Sequence, residues 1–175
     1  MIVRLIPINR DTNATLYAPE AIPEDEIACI RSVHPLDASP LWQMLVHPDP
    51  ACYGYRGLPE GHWTRTNIWM ENGWHSESRE FIAELSDGCG WPDGAPVVYF
   101  YGPRSSAWAP FSMFRRHWTE FLRFNEDPLL VCPGYPRWFG FGASGTAATG
   151  ERPVSAAEAE LAWKFGGMPF PLRFL

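Results

Sequence analysis

The chain has 175 residues, of which 46% are hydrophobic and 15% aromatic, enough apolar material for one substantial core and too much for a disordered segment. Only 19% of residues are charged and the net charge is −6. That balance disfavours general attraction to nucleic acid or anionic lipid and permits attraction to a basic protein.

The opening MIVRLIPINRD alternates around Arg4 and predicts a first β-strand. Its apolar run is too short for a signal peptide, and no later run is long enough to span a bilayer. TLYA predicts a short second strand over residues 15–18. PEDEIACIRSV predicts a helix over residues 23–33, with Pro23 near its first turn and Glu24, Asp25 and Glu26 well placed against the N-terminal dipole. SPLWQMLV predicts another helix, with Ser39 as N-cap and Pro40 at the first helical position. Residues 47–61, rich in Pro, Gly and Tyr, read as an ordered surface loop. The alternation in HWTRTNIWM predicts a strand within residues 62–70.

SESREFIAELSDG predicts a helix over residues 76–88, capped by Ser76 or Ser78, burying Phe81, Ile82 and Leu85, and stopped at Gly88. WPDG is turn chemistry, and PVVYFY at residues 96–101 is the strongest strand signal in the chain. FSMFRRHWTEFLRF then predicts a helix over residues 111–124. At about 100° per residue, Phe111, Phe114, Trp118, Phe121 and Leu122 share one sector, while Arg115, Arg116, Glu120 and Arg123 lie opposite. So wide an apolar face belongs against a sheet. Arg116 and Arg123 are each spaced to pair with Glu120, and His117, at the sector's border, reads as a hydrogen-bonded packing residue rather than a general base. PLLVC and RWFGF predict two short strands joined through PGYP. SAAEAELAWKFGG predicts a final helix in which Ser155 and Glu158 are spaced as a capping box. The apolar, proline-interrupted residues 166–175 are expected to dock on the body as an extended tail.

The motifs that could carry chemistry are thin. Gly140, Gly142 and Gly145 of GFGASG fit a dinucleotide fingerprint, but TAATG continues without helical periodicity and no later strand completes a βαβ unit. A glycine-rich turn accounts for the match, and no cofactor is expected. Cys29, Cys52, Cys89 and Cys132 form no Cys-x-x-Cys pair, and the five histidines form no i, i+4 pair, so no metal site is expected. Cys89, between Gly88 and Gly90, looks the most exposed thiol, yet a helix C-terminus raises a thiol's pKa, and an unreactive turn cysteine fits better. No catalytic set emerges.

Carboxylates are more informative. Glu77, Glu80, Glu84 and Asp87 form one stripe beside the Phe81–Ile82–Leu85 face of their helix. Glu77 and Glu80 suit the N-terminal dipole, whereas Glu84 and Asp87 oppose it. Helix stability therefore does not explain the whole stripe. It is either a solvated face or a binding surface for a basic partner.

Across residues 91–150, WPDGAPVVYFYG, the aromatic spacing from Trp108 to Leu122, the Asp127-Pro128-Leu129-Leu130 strand and FGFGASG together resemble small bacterial domains of the toxin-immunity type. The resemblance implies a cytoplasmic protein that neutralises a cognate, basic toxin by covering its active surface. It carries over no functional residue. The expectation is one α+β domain over residues 1–175, with a mostly antiparallel sheet packed against the aromatic-rich central helix. The alternatives are a small hydrolase or transferase with a site assembled only in three dimensions, or a structural or adaptor domain using the aromatic loop at residues 53–63 or the MPFPLRFL tail.

Overall fold

The computed structural model describes residues 2–8, 21–49, 51, 87–122, 128–142 and 146–166, and the backbone of residues 66–69. In chain order its elements are β1 (Leu5–Pro7), α1 (Glu24–Ile27), β2 (Arg31–Val33), α2 (Pro35–Leu45), β3 (Thr66–Trp69), β4 (Pro96–Gly102), β5 (Ser105–Pro110), α3 (Phe111–Arg116), α4 (Trp118–Leu122), β6 (Leu129–Val131), β7 (Arg137–Gly142), β8 (Thr146–Glu151) and α5 (Ala156–Gly166). The strands form one sheet in the order β1-β2-β5-β4-β6-β7-β8-β3. Every pairing between them is antiparallel. The molecule is an α+β domain.

The central strand shows how it is built. Side chains alternate across a strand, so Val97, Tyr99 and Tyr101 enter one core cluster while Val98 and Phe100 enter another. On the first face Ile22, Ile27, Trp91, Phe111, Phe114, Trp118 and Phe121 cover the sheet. On the second, Leu41, Trp42 and Leu45 of α2 and Leu161 of α5 do so. With helices on both faces, β4 has no solvent side. That is why PVVYFY carries no polar alternation, unlike the usual half-exposed antiparallel strand.

Tertiary pairing overrides several local signals. Residues 23–33 do not form one helix: α1 lasts a single turn, and Arg31–Val33 pairs with both β1 and β5. Ser39 is no cap and Pro40 no first position. Helix α2 starts earlier, with Pro35 in the first turn and the His34 ring accepting from Leu36 N at 3.2 Å, which leaves Pro40 inside the helix. Ala38, Leu41, Trp42 and Leu45 make its buried stripe. Gly88 does not end its helix: residues 87–89 are helical, and Gly90 follows at φ +66°, the left-handed conformation that glycine adopts without a Cβ penalty.

The helix expected over residues 111–124 is two helices. His117, at φ −118° and ψ 27°, ends α3, and α4 begins at Trp118. Phe111, Phe114, Trp118 and Phe121 are nonetheless all buried in the first cluster. The first turn of α3 is satisfied by the turn before β4: Phe111 N donates to Ala95 O and Ser112 N to Asp93 O. Strand β5 carries no strong strand signal, because Ser105-Ser106-Ala107 is poor in β-formers. Its small residues Ala107 and Ala109 lie in the same cluster as Tyr99, Phe111 and Phe114. The strands expected within residues 62–70 and at PVVYFY, PLLVC and RWFGF, and the final helix, are present as β3, β4, β6, β7 and α5. Residues 15–18, most of the loop at residues 47–61, and the 167–175 tail lie outside the described residues.

Candidate functional site

Of the predicted carboxylate stripe, Asp87 is described and exposed, on the helical turn that ends at Gly90. Glu77, Glu80 and Glu84 lie outside the described residues. The turn packs on the first face of the sheet, since its Cys89 belongs to that cluster, as does Ile27 of α1. Glu24 and Asp25 of α1 are also exposed. Two described arginines of this layer are engaged: Arg115 by Asp93 at 2.5 Å and Arg116 by Glu26. Arg116 therefore reaches across to α1 instead of pairing with Glu120 on the neighbouring helix.

Glu26 also joins His117. Its Oε1 meets Arg116 and its Oε2 meets His117 Nε2, while the ring is only 13% exposed. Burial and then the neighbouring Arg116 guanidinium push the His117 pKa below its ordinary value, against the pull of Glu120. A neutral ring must donate from Nε2 to this carboxylate, which leaves Nδ1 as its acceptor. The arrangement orients a histidine and ties α1 to the α3–α4 junction. Periodicity placed His117 beside the core, but its partner is 91 residues away in sequence and carries no local signal.

Cys89 and Cys132 are set away from reactive chemistry. Cys89 is 7% exposed, not the exposed thiol expected, and burial raises its pKa. Burial raises Cys132 further, and the three described cysteines are free. The GFGASG segment leads from β7 into the antiparallel partner β8, and not into the helix that a dinucleotide fingerprint opens. Among the described residues no group of three or more His, Cys, Asp or Glu side chains is placed to hold a metal ion. Nor is any described helix long and apolar enough to cross a membrane.

The second face holds what sequence spacing missed. Arg152 and Glu158 form a buried ion pair, with side chains 2% and 0% exposed. Arg152 Nη1 donates to Glu158 Oε2 at 2.8 Å, and Nη2 donates to Glu158 Oε1, to Tyr135 O at 3.2 Å and to Cys132 O at 3.4 Å. Glu158 Oε1 also accepts from Gly134 N at 3.1 Å. Half of the capping box forms, because Ser155 Oγ accepts from Glu158 N at 3.1 Å. The Glu158 carboxylate turns to Arg152. Beside the pair a cleft of about 310 Å³ opens between residues 43–48, at the end of α2, and residues 152–155.

No curated protein and no solved structure matches the chain. One family model does, over residues 17–150, a span that contains Glu26, Asp87 and His117 and ends before Arg152 and Glu158. That match covers most of the chain, which therefore belongs to the family described as "Protein of unknown function (DUF2947)".

Proposed function

We propose that the chain is an immunity- or antitoxin-like protein that binds a cognate basic bacterial toxin and neutralises it by covering its active surface, with no catalysis of its own. The observation that carries this reading is the charge of the first helical layer. Glu24, Asp25 and Asp87 are exposed there, while Arg115 and Arg116 are taken up by Asp93 and Glu26. Glu77, Glu80 and Glu84 precede Asp87 by ten, seven and three residues and extend the same acidic character in sequence. Grouped charge of one sign accelerates encounter with a cationic partner and does so most at low salt. On this reading the protein works in the cytoplasm, and its free thiols suit a reducing compartment.

Co-expression with a basic effector encoded beside the gene tests it. Cells making the effector should survive only when the chain is also made. The Glu84→Lys, Asp87→Lys double variant should stay folded, bind at least about tenfold more slowly at low salt, and lose protection. Unchanged rate and salt dependence would reduce the acidic layer to a solvated face. The alternative of a small hydrolase or transferase draws on one observation, the His117 ring oriented by Glu26. If His117→Gln abolished protection while leaving binding intact, that alternative would replace the first.

A further inference from the structure

We draw no further inference here: the strongest candidate, the exposed apolar surface of Ile2, Ile6 and Leu36 beside the edge strand β1, has nothing in the structure to show what covers it.

Discussion

A carboxylate and a guanidinium buried together are costly to bring out of water, and removing one partner leaves the other charged and unsatisfied. Arg152→Ala should therefore lower stability by about 3–5 kcal/mol in denaturant unfolding, whereas the Arg152→Met, Glu158→Leu double variant should recover most of the loss. Similar losses in the single and the double variants would mean that the pair is not the latch between α5 and the β6–β7 turn. Gly134, in that turn, is held by a second constraint. It sits at φ +84°, and a Cβ there would lie 2.8 Å from Ala162 Cβ. Gly134→Ala should cost at least about 1–2 kcal/mol from the left-handed backbone alone. Adding Ala162→Gly should relieve the clash and leave that backbone term, measured as a partial recovery in the midpoint of unfolding. At this scale the sequence is legible only where partners are close in the chain. The Ser155–Glu158 spacing announces a helix start and delivers one, but the carboxylate's real partner, Arg152, sits before the cap, where no helical spacing points to it.

Elements were legible where burial and propensity agree. Strands β4, β6 and β7 are aromatic or branched, and α5 has a cap and a regular pattern. Strands β2 and β5 were not, because Arg31-Ser32-Val33 continues a plausible helix and Ser105–Pro110 is rich in small residues; each is made a strand by its neighbours. The α3–α4 break was hidden for a related reason. Burial at positions 111, 114, 118 and 121 survives a one-residue interruption, so the aromatic pattern alone does not reveal it. Trp118, 5% exposed just after the break, anchors α4 to the sheet, and Trp118→Ala should cost about 3–5 kcal/mol in a thermal or denaturant melt. A melt unchanged from wild type would contradict that packing. Strand β1 is held at the sheet's edge by Arg4, whose Nε and Nη2 donate to Asp37 at 2.8 and 2.7 Å while its backbone N–H adds a third bond at 2.9 Å. These bonds hold the Asp37 carboxyl at about 2, below its ordinary 3.8. A depressed carboxyl pKa stabilises the fold at pH above the ordinary value and loses that effect as the pH falls through the folded one. The protection of β1 amides against exchange, after correction for the intrinsic pH dependence of exchange, should therefore fall between about pH 4 and pH 2, and Asp37→Asn should remove that step.

For the whole molecule, a sheet covered on both faces leaves function to the outer surfaces of two helical layers, and these differ in character. In the layer built by α1, the turn ending at Gly90 and α3, Glu24, Asp25 and Asp87 are exposed, and the described Arg115 and Arg116 are engaged by Asp93 and Glu26. The layer built by α2 and α5 holds a buried ion pair and a cleft beside it. Net charge gave a partial hint of the exposed Glu24, Asp25 and Asp87, with Glu77, Glu80 and Glu84 of the stripe outside the described residues, while the cleft depends on residues more than a hundred positions apart and left no local trace. The proposed partner-binding role is tested most directly by the association rate of the chain with a basic effector encoded beside it, measured over a range of salt concentrations for wild type and for Glu84→Lys, Asp87→Lys. The proposal predicts a steep salt dependence for wild type and, for the double variant, a rate at least about tenfold lower at low salt that converges on wild type as salt rises. Equal rates at every salt concentration would contradict it.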